Sequence, residues 1–98
     1  MMPGGVGEIQ PATPEIQKIV DKVKPQFEEK SNRKYDCLEA VEYRSQMVAG
    51  TVYFVKVHFG CDQYAHLKIF EPLPQTNKPM ELLDYQTDKT KDDEVNYF

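Results

Sequence analysis

The chain has 98 residues, which is the length of a single domain. Its residues are 40% hydrophobic and 29% charged, as in ordinary globular proteins, and the formal net charge of −4 argues against nucleic acids and anionic membrane surfaces as partners. No run approaches the roughly 18 apolar residues that cross a bilayer, and the N-terminus lacks the pattern of a signal peptide. We therefore expect one domain over residues 1–98, with neither nucleic acid nor membrane as a partner.

The first elements in chain order are an arm and a helix. Residues 1–12 hold three glycines and two prolines without periodicity, which predicts a mobile N-terminal arm. Thr13 and Pro14 suit the cap and the first turn of a helix, and the apolar stripe that follows fades near Ser31. Pro25 lies inside this pattern and predicts a kink. The stripe consists of Ile16, Ile19, Val20, Val23 and Phe27.

β-strands follow the helix, because the apolar period changes to two. Alternation predicts strands around residues 41–44, 53–59 and 65–69, and a fourth at 80–87. The charged tail, residues 88–94, is expected to be solvated. One amphipathic helix before a run of strands predicts an α+β fold, in which a long helix packs across an antiparallel meander sheet of four to five strands.

The tip of the first hairpin is the most informative feature. Facing residues of an antiparallel pair share a face of the sheet, and placing Tyr43 opposite Tyr53 centres this hairpin on Val48. Its tip is then Val48 with its neighbours Met47 and Ala49, an uncharged and largely apolar turn. Hairpin tips normally carry Gly, Asn, Asp or Pro, so this composition calls for another explanation.

The second hairpin has an ordinary tip, and the loop after it does not. Pairing Val57 with Leu67 puts the second tip at residues 61–63, which are polar. The next loop carries Leu73 beside Pro74, where a polar residue would be expected. By topology, the arm, the first tip and this loop share one edge of the sheet. Either the apolar residues pack back onto the core, or they are exposed and bind a partner, which is the interpretation we favour.

These segments resemble those of the cystatins, and of the stefin (type 1) branch in particular. The string Gln46-Met47-Val48-Ala49-Gly50 resembles the Gln-x-Val-x-Gly hairpin of the family, although Met47 stands where Val is common. Pro3-Gly4-Gly5 is similar to the arm of A-type stefins, and Leu73-Pro74 to the second stefin hairpin. The binding residues implied by the resemblance are Pro3, Gly4, Gly5, Gln46, Met47, Val48, Ala49, Gly50, Leu73 and Pro74.

The resemblance implies a cystatin-like fold and a tight, reversible, competitive inhibitor of papain-like cysteine proteases such as cathepsins L, S, H and B. The arm would lie along the non-primed subsites, the first tip over the catalytic Cys and His of the protease, and the second loop on the primed side. No cofactor and no metal are implied. Two cysteines are too few for a disulfide framework and indicate free thiols in the cytoplasm.

The resemblance also implies a monomer that can exchange segments into a domain-swapped dimer. Val48 and Ala49 have no preference for positive φ, so a tight turn at residues 46–50 is expected to be strained. Opening of the hairpin would release that strain.

Other functions have weaker support. Cys37 or Cys61 with His58 or His66 could suggest a thiol enzyme or a zinc site, but the spacings match no template, and the predicted pairing sets the two histidines opposite each other on a solvated face. We therefore predict that the protein is not an enzyme. The alternative that stays open is a cystatin-fold module that binds without inhibiting, or a structural protein that is cross-linked into an assembly.

Overall fold

The computed structural model describes residues 7–60, 62–96 and 98. A helix lies across one face of an antiparallel sheet, in which neighbouring strands follow the chain order. The elements are β1 (Gln10–Pro11), α1 (Pro14–Ser31), β2 (Glu39–Val48), β3 (Gly50–His58), β4 (Tyr64–Pro72) and β5 (Glu81–Lys89), with a 3-10 turn at Pro74–Thr76. The predicted α+β fold is confirmed, and the described residues form a sheet of five strands.

The helix begins and ends where its sequence signals predict. Thr13 Oγ1 accepts a hydrogen bond from the Ile16 amide at 3.3 Å and so caps the first turn. Pro14 lies in that turn, where an amide would have no helical acceptor. Asn32 closes the helix in the left-handed conformation, with φ of 57°. Pro25 lies inside the helix without ending it, and the kink stays a prediction.

The main core lies between α1 and one face of the sheet. Phe27 is fully buried, and its ring stacks on Tyr35 with centroids 4.9 Å apart and meets Tyr85 edge-on at 5.2 Å. Burial of a side chain of this size stabilises the fold by about 1.5 to 3 kcal/mol. The same core contains Val20 and Val23 from the helix and Val55, Val57, Leu67, Ile69 and Leu82 from the sheet.

Two glutamines of α1 fix the helix against the sheet. The side-chain amide of Gln17 donates to the Leu38 carbonyl, and its oxygen accepts from the Ala40 amide, both at 2.8 Å. Gln26 makes the equivalent pair of hydrogen bonds at the start of β5, at 3.1 and 2.8 Å. Because each glutamine serves two backbone groups, the helix is held to the start of β2 and to the start of β5.

The strand register of the first hairpin differs by two residues from the predicted one. Tyr43 lies opposite Val55 rather than Tyr53, so the apex is at Ala49 and not at Val48. Alternation defines which face a side chain occupies, but an even shift of register leaves every face unchanged. The faces were therefore predicted correctly while the pairing was wrong.

The second hairpin shows the same error. Val57 lies opposite Ala65 rather than Leu67, which centres the turn one residue earlier than predicted. Two residues that flank this turn, Gly60 and Asp62, have positive φ of 70° and 54°. Both are residue types that tolerate this conformation, so they define the tip.

The predicted strain at the first tip is wrong. Neither Val48 nor Ala49 has a positive φ, and Gly50 alone among the residues at 46–50 adopts one, of 124°. Glycine has no Cβ and enters this region without steric cost. The turn therefore closes on a residue suited to it.

The second face of the sheet is covered, which corrects the prediction of a solvated face. Lys56 and His66 are each only 1% exposed, and Phe54 is fully buried. His66 lies opposite Lys56 in the sheet, and not opposite His58 as predicted. Polar residues at alternate positions therefore do not indicate exposure here.

The cover is the C-terminal strap, which we define as residues 90–96 and 98. Val95 is fully buried against this face, and the Phe98 ring meets Phe54 edge-on with centroids 5.7 Å apart. Lys56 Nζ donates to a strap carbonyl, that of Lys91, at 2.6 Å. The tail is exposed over most of 88–94, as predicted, but beyond it the chain packs on the sheet.

Candidate binding edge

The first hairpin presents its apolar side chains to solvent. Met47 is 72% exposed and Val48 47% exposed, and Ala49 at the apex is exposed as well. Val48 lies opposite Gly50 at the last rung of the β2–β3 ladder, so the backbone of the tip is held by the sheet. The interpretation that these side chains pack back onto the core is therefore wrong.

Gly50 brings the first tip against the end of β4. It lies opposite Pro72, and a Cβ on Gly50 would stand 2.6 Å from the Glu71 carbonyl oxygen and 2.9 Å from the Phe70 ring. Backbone approach this close requires glycine. Gly50 is buried, and its role at the tip is to allow this contact.

Leu73 and Pro74 follow directly after β4 and so lie beside the first tip, as the topology predicted. Leu73 is 38% exposed. Its carbonyl accepts hydrogen bonds from the Thr76 amide at 3.0 Å and from Thr76 Oγ1 at 2.7 Å, which hold the loop in shape. A groove of about 510 Å³ separates this loop from the helix, with Met80 in its wall.

The N-terminal segment approaches the same edge along the outer side of β2. Gln10 lies opposite Tyr43, and further along the Gly7 amide donates to the Ser45 carbonyl at 2.8 Å. The chain therefore runs towards the first tip. Within the predicted arm, residues 7–12 are thus tied to the sheet; Pro3, Gly4 and Gly5 lie outside the described residues.

A family model described as the cystatin domain matches residues 4–92. The chain belongs to the cystatin family. Cystatin-A1 of Sus scrofa is 59% identical over 98 residues, which cover 100% of this chain and 95% of that protein. Cystatin-A of Homo sapiens is 58% identical over 100% of both chains. Leukocyte cysteine proteinase inhibitor 1 of Sus scrofa is 55% identical, over 100% of this chain and 95% of that protein.

These similarities confirm the sequence-based assignment of this cystatin to the stefins, with cystatin-A (stefin A) proteins among its relatives. They also confirm, at the level of the family, the prediction of a cysteine protease inhibitor and not an enzyme. No similarity supports the alternative of a non-inhibitory or cross-linked structural protein.

The two histidines of this cystatin have structural environments in the sheet. Burial, with the nearby charges of Lys89 and Lys56, lowers the pKa of His66 to about 4, so this imidazole is neutral near pH 7. His58 Nδ1 lies 3.5 Å from a carboxylate oxygen of Glu39 at the surface. The described part of the chain contains no group of three or more His, Cys, Asp and Glu that could hold a metal ion.

Two features near the edge were missed by the sequence analysis. The first is β1, whose two residues are too few to show any periodicity. The second is Arg44, on β2, which bonds to both terminal segments through Gly7 and Glu94. An arginine in an alternating strand looks like any solvated residue, so no local signal identifies it. Over the ranges that the structure describes, no helix is both long and apolar enough for a membrane crossing.

Proposed function

We propose that this cystatin inhibits papain-like cysteine proteases by filling their active-site cleft with one edge of its sheet. The observation that carries the proposal is the exposure of Met47 and Val48 at a turn whose backbone is fixed by the sheet. Clustered apolar groups of this kind usually mark an interface. The proposed contact residues are Pro3, Gly4, Gly5, Gln46, Met47, Val48, Ala49, Gly50, Leu73 and Pro74.

Inhibition without cleavage follows from the shape of the tip. The chain reverses at Ala49 between the paired Val48 and Gly50, so it offers no extended peptide bond to the protease. A fixed turn also loses little conformational entropy on binding. The arm would occupy the non-primed subsites, the tip would cover the catalytic Cys and His, and Leu73 would contact the primed side. Binding is then competitive and reversible.

The proposed targets are cathepsins L, S, H and B, and the proposed compartment is the cytoplasm. An exposed free thiol at Cys37 is compatible with a reducing compartment. The proposed state is a monomer. Exchange into a domain-swapped dimer, by opening of the 46–50 hairpin, also stays a prediction. Because the turn is not strained, this prediction now depends on the family resemblance alone.

The test is a titration of active papain with the chain at nanomolar concentration. We expect papain activity to fall in proportion to the added inhibitor until the two are equimolar. The apparent inhibition constant should rise with substrate concentration, and the inhibitor should be recovered at its original mass. Papain that keeps full activity at micromolar chain would contradict the proposal.

A separate experiment tests the dimer. The protein is warmed, its species are separated by size, and each is assayed against papain. The dimer should lose inhibition because its tip has opened.

A further inference from the structure

Arg44 connects the two terminal segments of the chain across β2. Its Nη1 donates to the Gly7 carbonyl at 3.3 Å, and its Nη2 donates to Glu94 Oε1 at 2.8 Å. Gly7 is the first described residue of the N-terminal segment, and Glu94 belongs to the C-terminal strap. One guanidinium thus contacts the base of the arm on one side and the strap on the other.

Both ends of this connection are anchored. The Gly7 amide donates to the Ser45 carbonyl, so the amide and the carbonyl of Gly7 are both hydrogen-bonded to β2. Next to Glu94, Val95 is fully buried on the second face of the sheet, which holds the strap in place. A planar guanidinium with a fixed fork of donors can serve both partners at once, whereas an ammonium group is a single point charge.

The contacts of Arg44 contribute little to folding stability. The Glu94 side chain is 60% exposed, and ion pairs at such sites stabilise by about 1 kcal/mol or less. Arg44 Nε is buried without a hydrogen-bond partner among the described residues, which opposes folding. The geometry is therefore better explained by orientation of the chain at Gly7 than by stability.

We propose that Arg44 is a positioning residue, which directs the N-terminal arm towards the first tip and is itself held by the strap through Glu94. The proposal rests on the proposed function, because direction matters only if the arm contacts a protease. Gly7 lies beside Ser45, and about 10 Å of strand separates Ser45 from Val48 at the tip. Six residues precede Gly7 and span at most about 20 Å when extended, so the direction in which the chain leaves Gly7 determines how far they can extend past the tip.

The experiment uses the full chain in a double-mutant cycle. Arg44→Met removes both hydrogen bonds and keeps the apolar stem, and Gly4→Glu places a charged side chain in the arm. We expect Arg44→Met to raise the dissociation rate from papain about three- to ten-fold, the loss that corresponds to one net hydrogen bond. In the Gly4→Glu background the same substitution should have little further effect, because the arm no longer contributes.

The strap provides the matched controls. Glu94→Gln should raise the dissociation rate by a smaller factor than Arg44→Met, whereas Asp92→Asn, an equal charge change at an exposed strap residue, should not alter it. The melting temperature of Arg44→Met should stay near that of the unchanged chain. An equal effect of Arg44→Met with and without Gly4→Glu would overturn the proposal, because Arg44 would then act on the tip or the fold.

Amide hydrogen exchange separates this proposal from the proposed function. In the free protein, the Gly7 amide should exchange faster in Arg44→Met than in the unchanged chain, while Asp92→Asn leaves it unaltered. Unchanged protection at Gly7 would overturn the positioning role, whether or not papain is inhibited. Failure of the unchanged chain to inhibit papain, together with faster exchange at Gly7, would overturn the proposed function and leave the positioning of the arm supported.

Discussion

The two ends of the sheet close their hairpins with different chemistry. At one end, Gly60 and Asp62 adopt positive φ, and the Phe59 amide donates to the Gln63 carbonyl at 2.9 Å. These are residues that make a stable polar turn. At the other end, the hairpin around Ala49 has no polar turn residue, and its large side chains are exposed. The first-hairpin end around Ala49, the first end, therefore has the composition expected of the proposed binding surface, whereas the end at Gly60 and Asp62, the second end, has the composition of an ordinary turn.

Glycine has a different role at each end. A Cβ on Gly60 would meet its nearest neighbour, the Gln63 side chain, at 3.5 Å, which is an ordinary contact. A Cβ on Gly50 would stand 2.6 Å from the Glu71 backbone oxygen. Gly60 therefore serves the conformation of a turn, whereas Gly50 also permits two strands to meet closely beneath the exposed tip.

The largest expected effect is on protease binding, and it should be confined to the first end. Val48→Asp places a carboxylate in the centre of the proposed interface, where a central residue contributes about 2 to 4 kcal/mol, so we expect the papain inhibition constant to rise about 100-fold or more. Gln63→Glu adds the same charge at the other end and should leave the constant unchanged. Equal losses at both ends would show that charge, and not contact at the tip, determines binding.

The next effect is on stability, and the two glycines give a matched pair. Gly50→Ala combines an unfavourable φ with overlap against backbone, and should lower the free energy of unfolding by about 3 kcal/mol. Gly60→Ala meets only the φ cost and should lower it by about 1 kcal/mol. Urea unfolding curves measure both. A Gly50→Ala chain as stable as Gly60→Ala would mean that the strands separate easily at the first end.

Local signals predicted the helix well and the sheet less completely. Thr13, Pro14 and the apolar stripe act within a few residues, so the bounds of α1 could be predicted from sequence. The strand register could not be predicted, because the alternation of apolar residues is unchanged when the pairing shifts by two residues. An irregularity in β2 between Ala40 and Glu42 adds a further offset. The exposed apolar tip was predicted because its composition departs from ordinary turn chemistry.

The covered second face was not predictable because its cover is distant in sequence. Lys56 and His66 have polar side chains in alternate positions, which is the pattern of a solvated face. Their burial depends on the strap, and the burial of Val95 gives no periodic signal in a charged tail. The contacts of Arg44 could not be predicted for the same reason, because its partners lie 37 and 50 residues away along the chain.

A smaller effect should appear as the pH falls, and it should alter the sheet without altering the tip. His66 titrates near its ordinary value in the unfolded chain, but burial first, then Lys89 and Lys56, lower its folded pKa to about 4. The unfolded state therefore binds more protons between pH 6.5 and about 4, and stability falls as pH falls through that window. After allowance for solvent screening we expect a loss of about 1 to 2 kcal/mol.

Urea unfolding at pH 7 and pH 4.5 measures this loss, with His66→Gln as the control. The variant removes the titrating group, so its stability should depend less on pH over the same window. Residues 46–50 contain no titratable side chain, so the first tip itself should keep its binding properties. A variant with the same pH dependence as the unchanged chain would assign the effect to other groups, such as Asp93, whose pKa is lowered by its hydrogen bonds to Thr90.

The smallest effect should come from Cys37, which precedes β2 on the side of the sheet away from the first tip. Cys37 is exposed and free, and we propose no role for it in protease binding. Cys37→Ser should change the free energy of unfolding by less than about 0.5 kcal/mol and leave the papain inhibition constant unaltered, with or without reductant. Cys61 lies outside the described residues, so a thiol titration of the denatured chain is needed as well. We expect two free thiols. Loss of both, together with inhibition that changes on reduction, would show a bridge that couples the far end to the binding edge.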